Sequence, residues 1–348
     1  ILIKKITFMK AAIWYGGKDI RIEDVPEPKI SDNDVLIKVK AAGICGSELH
    51  AYEGTSERRK PPLIMGHEFS GEIEEVGKNV KNLIKGDKVV VNPIIRCLKC
   101  EQCLNGRSNI CENMRLIGLH TPGAFAEYIA IPSENCYKIP DNLSFEEASM
   151  VEPLSVGLHA INLANMKINS DVAIIGGTGV IGLCTLQVVK IVGVGRIICT
   201  GTRENKLKIA EKLGANILIN VKEIDPIKKI MEITNRKGID IAFEAVGIQE
   251  TVQQAISMVK KGGSVVVIGM LAKKMELEML DIVTKEKKII GSYGYTPLDF
   301  KTALNLIAEE KVNVKPLITH VFSLNEISKG FEVLSKNREE VIKVIIKP

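Results

Sequence analysis

Four cysteines crowd into fifteen residues as Cys97-x2-Cys100-x2-Cys103-x7-Cys111, with Lys, Asn, Gly and Arg between them and no apolar face to pack. Thiolates at this spacing can close a tetrahedron around zinc, with Zn–S near roughly 2.3 Å and no open position, which describes a structural site. In a reducing cytosol the cluster is not expected to form disulfides. An iron–sulfur cluster is the weaker rival, because such runs differ in spacing and carry a following Pro. A lobe of free thiols would leave reactive cysteines exposed to no purpose. Cys136, Cys184 and Cys199 stand in apolar stretches and read as small buried hydrophobes.

A second chemistry is written between Val172 and Gly182. Gly177-x-Gly179-x-x-Gly182 follows a β-branched run and opens a helical one. In that context Gly177 permits the tight turn, Gly179 lets the backbone approach a pyrophosphate, and Gly182 lets helix pack on strand. Thr178, Val180 and Ile181 lie between them, where free N–H groups and the helix dipole face phosphate. The next strand ends in Gly201-Thr202-Arg203. Gly201 stands where an acidic residue would hold the adenosine ribose of NAD. Thr202 can donate a hydrogen bond to a 2′-phosphate, Arg203 can pair with it, and Lys206 one turn further adds charge, so NADP is expected over NAD.

Three further residues are ambiguous one at a time. Cys45 lies in Ala-Gly-Ile-Cys-Gly-Ser-Glu-Leu-His50, His67 in Gly66-His67-Glu68, and Glu152 in Val-Glu-Pro-Leu-Ser-Val-Gly157. Cys45 alone could be a core thiol and His67 a satisfied loop histidine. Glu152 could be a carboxylate favoured by a helix N-terminus.

The elements that must position these groups change character along the chain. From Lys10 to about Leu154 short β-like runs (35–39, 71–76, 87–91, 125–129) alternate with Gly, Pro and charged turns, which predicts a β-rich domain. From about Asp171, strand candidates at 172–175, 196–200, 217–219, 239–244, 264–268 and 288–292 alternate with helix candidates at 180–192, 206–213, 226–234, 249–259 and 277–284. Six strands with helical crossovers form a doubly wound parallel sheet. A helix at 298–309, an extended stretch at 318–322, a helix at 325–336 and a last strand at 341–346 follow. That strand needs a sheet to join, so the C-terminus is expected to return to the first domain. The expected division is 9–155 and 296–348 for the β-rich domain, with the cysteine lobe at 95–113, and 156–295 for the α/β domain.

The chain has 348 residues, 45% hydrophobic and 26% charged, with 47 Lys+Arg against 42 Asp+Glu for a net +5. It can bury a sizeable core and is not disordered. The charges are scattered, which argues against a nucleic-acid arm or a membrane face. No run approaches 18 apolar residues, so a cytoplasmic location is expected. Met9-Lys10-Ala11 reads like a start, and residues 1–8 are assigned no function.

Together these motifs resemble the zinc-containing medium-chain dehydrogenase/reductase superfamily over essentially all of 9–348. Within it the chain is most similar to the polyol (sorbitol, galactitol phosphate), butanediol and threonine dehydrogenase group. The residues that carry the likeness are Cys45-Gly-Ser-Glu-Leu-His50, Gly66-His67-Glu68, Gly123-Ala-Phe-Ala-Glu-Tyr128 and Glu152-Pro-Leu-Ser-Val-Gly157. The resemblance implies a GroES-like β-rich catalytic domain split around a Rossmann domain, two zinc ions per chain, and a homotetramer or homodimer. It implies that Cys45 and His67 ligate a catalytic zinc and that Glu68 or Glu152 takes the third protein position or holds the metal-bound water. It also implies a proton relay through Ser47 and His50, and hydride exchange between a secondary alcohol, diol or polyol (or its ketone) and NADP. In Gly291-Ser-Tyr-Gly294-Tyr295, glycine stands where sorbitol-type enzymes carry arginine, and Gly201-Thr202-Arg203 departs from the acidic reader of NAD-dependent threonine dehydrogenases. Threonine 3-dehydrogenase or sorbitol-type NAD chemistry is therefore the alternative.

Two readings from other classes stay open on sequence. A zinc-lobe nucleic-acid binder would use Arg96, Lys99, Arg107 and Arg115, but Glu101 and Glu112 dilute that charge and no aromatic platform accompanies it. A non-catalytic NADPH-binding protein on the same fold would not need Cys45, His67 and Glu152.

Overall fold

The computed structural model describes residues 7–270 and 272–348. The chain divides into two compact units. One holds the residues up to Glu152 together with Thr296–Ala308 and Ile318–Pro348, and the other holds Pro153–Tyr295 and Glu309–Leu317.

The first unit is built on a seven-stranded sheet. Its central strand, Asp34–Gly43, pairs antiparallel with Glu68–Val76 on one side and with the C-terminal strand Lys343–Lys347 on the other. Tyr128–Pro132 also pairs with the central strand, and Ile318–Ser323 lies parallel to the C-terminal one. Alternating Val and Ile, with register shifts at Leu36/Ile37 and Val39/Ala41, turn one face of Asp34–Gly43 into a core with Phe69, Phe125, Ile73 and Phe331. A second sheet joins Phe8–Gly16, Asp19–Pro26 and Leu63–Ile64. The hairpin Phe8–Gly16/Asp19–Pro26 was not among the expected strands. The run at 125–129 also differs: the strand is Tyr128–Pro132, because the Phe125 carbonyl accepts from the Ala12 N–H and Ala126 bridges Ala11, which ties that stretch to the hairpin.

Two registers carry the geometry of the site. Gly43 lies opposite Glu68, so the chain running on to Cys45 and the chain arriving through His67 meet at one end of the sheet. Ile345 also lies opposite Gly43, which brings Lys343 to the same end.

The second unit is a parallel sheet of six strands in the order Ile217–Asn220, Ile197–Gly201, Val172–Ile175, Ile239–Glu244, Val259–Val267, Lys288–Gly291. The order reverses beside Val172–Ile175, where open α/β sheets bind ligands. The strand Val172–Ile175 is buried throughout, as expected for a sheet covered on both faces. The fifth strand begins at Val259 rather than 264, since Val259 already pairs with Ile239. Within the span 296–348, expected to belong to the first domain, Glu309–Leu317 instead joins the second unit. Val312, Val314 and Leu317 are buried there, and the Asn313 N–H donates to Gln187 Oε1 at 2.8 Å. No helix among the described residues is long and apolar enough to cross a membrane.

Candidate active site

Cys45 immediately precedes the short helix Gly46–Tyr52, and its N–H donates to Glu48 Oε2 at 3.0 Å. His67 and Glu68 enter from the facing strand. The Sγ of Cys45, a ring nitrogen of His67 and a carboxylate oxygen of Glu68 all lie within 4.8 Å of one another. Thiolate, imidazole and carboxylate at that separation form the donor set of a zinc site that can keep a position open. Glu152 is buried in the first turn of the helix Val151–Leu163 and lies outside that group of three.

Glu48, given no role on sequence, organises the site. It has no exposed surface; its Oε1 accepts from the Gly66 N–H at 2.9 Å and lies 2.7 Å from His67 Nδ1. That contact commits Nδ1 to the carboxylate and leaves Nε2 for a metal, the usual arrangement around metal-ligating histidine. Burial acts to raise the Glu48 carboxyl, but His67, with Arg59 beside it, outweighs burial and holds it below the ordinary range. Burial likewise opposes charge on His67, yet Glu48 and Cys45 together push it well above the usual imidazole value. The Cys-x-x-Glu spacing, which places a carboxylate one turn into a helix, was the available signal.

Lys343 is the second group missed. It is buried, donates to the Ile44 carbonyl at 3.1 Å and pairs with Glu68 Oε2. Burial works against its charge, but Glu68 dominates and raises it, with Cys45 and Glu152 adding to the effect. Nothing local in Val-Ile-Lys-Val announces this partner, which only the strand register reveals.

Ser47 Oγ donates to Cys45 Sγ at 3.3 Å. His50, half-buried, lies one turn further along the helix with Nδ1 3.4 Å from Thr55 Oγ1. Burial, reinforced by Arg338 and opposed by Glu53, lowers it below an ordinary histidine. His120 is exposed and its Nδ1 accepts from the Leu116 N–H at 2.9 Å, which fixes a turn.

The cysteine lobe is assembled as a unit. Cys97 and Cys111 sulfurs are 3.4 Å apart, Cys100 and Cys111 3.8 Å, and Cys97 and Cys103 4.0 Å. A zinc tetrahedron with bonds of roughly 2.3 Å requires S–S edges of about 3.8 Å. Backbone N–H groups of Lys99 and Cys100 aimed at Cys97 lower that thiol to about 6, whereas burial with neighbouring thiols pushes Cys103 up to about 12.

In the second unit, Gly179 precedes the helix Val180–Val192. A Cβ at Gly177 would lie 2.4 Å from Cys199 Sγ, and one at Gly182 would lie 2.5 Å from the Gly176 carbonyl oxygen. At Gly179 a Cβ would meet only that oxygen, at 3.5 Å, so its open side can admit a pyrophosphate. Gly201 packs on Thr178, where a Cβ would come within 2.5 Å of Thr178 Cγ2. Thr202 and Arg203 are partly exposed, Lys206 is buried on the helix Glu204–Leu213, and Arg203 Nε is buried without a hydrogen-bond partner. An orphaned guanidinium N–H at this corner fits a cofactor carrying an additional phosphate.

The matches to known proteins fall on both units. Residues 31–141 match the alcohol dehydrogenase GroES-like domain, and 180–309 match the zinc-binding dehydrogenase domain. Sorbitol dehydrogenase of Bacillus subtilis is 36% identical over 347 residues, covering 98% of this chain and 97% of that protein. The chain belongs to the zinc-containing medium-chain dehydrogenase/reductase family. (R,R)-butanediol dehydrogenase of B. subtilis is 37% identical to this dehydrogenase, over 98% of the chain and all of that protein. A protein of Sinorhizobium meliloti solved bound to NADP superposes with a TM-score of 0.91 at 33% identity, covering 98% of this chain and 100% of that one. The chain is thus an enzyme of the zinc-dependent alcohol and polyol dehydrogenase type, with a GroES-like domain and a Rossmann-like sheet.

Proposed function

We propose that this dehydrogenase oxidises a secondary alcohol, diol or polyol, or reduces the corresponding ketone, with NADP in preference to NAD. The observation that carries the reading is the meeting of a half-buried Cys45 with the buried His67 and Glu68, three different donor types within 4.8 Å. When bound, zinc supplies a Lewis acid for the substrate oxygen and NADP supplies the hydride acceptor. In this reading Cys45, His67 and one of Glu68 or Glu152 hold the catalytic metal, and Cys97, Cys100, Cys103 and Cys111 hold a second, structural zinc. Glu48 keeps His67 Nε2 aimed, and Lys343 balances the charge of Glu68. Ser47 Oγ would accept the substrate's hydroxyl proton and release its own toward His50, which would pass it to water. Because its burial keeps it neutral to a lower pH than an ordinary histidine, His50 stays able to accept.

On the nucleotide side, Gly177, Gly179 and Gly182, with Thr178, Val180 and Ile181 between them, receive the pyrophosphate. Gly201, Thr202, Arg203 and Lys206 form the corner for the 2′-phosphate. The deciding experiment follows reduced-nicotinamide formation by the zinc-loaded protein over a panel of secondary alcohols, diols, polyols and threonine, with NADP and NAD in parallel. Faster turnover with NADP is expected. Arg203→Ala should raise KM for NADP about tenfold or more while leaving KM for NAD in place, since a charge-assisted phosphate contact contributes about 1.5–3 kcal/mol. Faster turnover with NAD in the wild type would overturn the cofactor assignment.

A further inference from the structure

Ser47 has a neighbour that the dehydrogenase reading does not use. Arg59 is 5% exposed, on the segment that leads to the buried Gly66-His67 turn. Its Nε donates to the Gly118 carbonyl at 3.0 Å, its Nη1 to the Ser47 carbonyl at 2.9 Å, and its Nη2 to Ser47 Oγ at 3.2 Å. Nη2 also lies 3.8 Å from Glu48 Oε1. Gly118 is itself fixed: its φ is +72°, and a Cβ there would meet the Gly66 carbonyl oxygen at 2.8 Å.

We infer that Arg59 is a positioning residue that fixes the rotamer of Ser47 and holds its Oγ beside Cys45, resting on the relay role given to Ser47 above; the O–H rests on Cys45 Sγ and stays free to turn about the Cβ–Oγ bond when it passes its proton on. A serine in the first turn of a helix has three staggered rotamers and competing backbone acceptors nearby. The guanidinium removes that freedom. Nη2 fills one acceptor lobe of Oγ, so the O–H points away from Arg59, along the 3.3 Å path to Cys45 Sγ. The same planar fork grips the Ser47 backbone through Nη1, so side chain and carbonyl are held by one rigid group. Nε anchors that group to the Gly118 turn, which packs on Gly66 next to His67. Lysine could supply the charge at this position but neither the fork nor the second grip. Arg59 touches neither metal donor directly and acts through Ser47.

The test exchanges cobalt(II) for the catalytic zinc and records the thiolate-to-cobalt charge-transfer band, which senses the hydrogen bond to Cys45 Sγ without any substrate. Arg59→Lys and Ser47→Ala should each move the band, and the double variant should move it no further than Ser47→Ala alone. With the alcohol that the wild type turns over, Arg59→Lys should lower kcat about tenfold or more at unchanged KM for NADP. A band that stays put in folded Arg59→Lys, or shifts that add in the double variant, would overturn the inference. Should Arg59→Lys not fold, Arg59→Gln is read the same way. A wild type that oxidises nothing in the panel while the bands still move together would reject the proposed function and leave the clamp standing.

Discussion

At the scale of single residues, the site is a set of buried charges that compensate one another. Glu48 faces His67 and Arg59, and Glu68 faces Lys343, all of them nearly inaccessible. Removing one member leaves its partner buried and unbalanced, which is costly in a medium that cannot solvate it. Glu48→Gln should therefore weaken zinc at Cys45/His67 by about 10- to 100-fold, the usual cost of a lost partner to a metal-ligating histidine. On the two-zinc reading proposed above, titration with a competing chelator should show one zinc equivalent released early and a second, assigned to the cysteine lobe, resisting. Equal retention of both would refute this account of Glu48. Cys45, His67 and Glu68 were legible in the sequence because thiol, imidazole and carboxylate are rare enough to stand out. Glu48 and Lys343 were not, since surface helices and strands carry such residues as a matter of course. For Lys343 only the pairing of Gly43 with Glu68 and with Ile345 reveals its place, while for Glu48 the Cys-x-x-Glu spacing was the one sign.

At the scale of elements, the βα turn at 175–182 is the part most fully written in the sequence. A Cβ at Gly177 would lie 2.4 Å from Cys199 Sγ and one at Gly182 would lie 2.5 Å from the Gly176 oxygen, so both positions require glycine. Gly182→Val should push the helix Val180–Val192 off its strand, because the atom in the way is backbone and cannot yield. NADP affinity should fall at least tenfold by calorimetric titration, with zinc content unchanged. Retained affinity would mean that the helix N-terminus contributes little to cofactor binding. The hairpin Phe8–Gly16/Asp19–Pro26 was less legible. Its second strand, Asp-Ile-Arg-Ile-Glu-Asp-Val-Pro, alternates only weakly, and most of it is half-buried, so the period-2 signal is diluted. The stretch at 125–129 misled for a related reason: its apolar residues pack on that unforeseen hairpin.

At the scale of the molecule, the first unit draws on chain segments far apart in sequence. The central strand Asp34–Gly43 needs Lys343–Lys347, some three hundred residues on, while four of the five pairings in the parallel sheet join strands adjacent in sequence. A chain ending at Asn337 should therefore lose the first unit selectively. It lacks the strand that pairs with Ile318–Ser323 and Asp34–Gly43, and it lacks the cation for Glu68. NADP binding should persist in the truncated chain while zinc at Cys45/His67 is lost. Zinc content together with cofactor titration reads both at once, and retention of the catalytic zinc would contradict the argument.

The pairing of Lys343 with Glu68 also sets an order of events during synthesis. When His67 and Glu68 leave the ribosome, the strand that carries the balancing cation has not been made, and the parallel sheet between them has time to form first. Domains emerging in this way fold as units, and non-local strand pairing is the slow step. The catalytic pocket is thus among the last parts of the molecule to close. On the function proposed above, metal capture by Cys45, His67 and Glu68 would follow the nucleotide half, and a chain stalled before Lys343 would leave Glu68 without its cation.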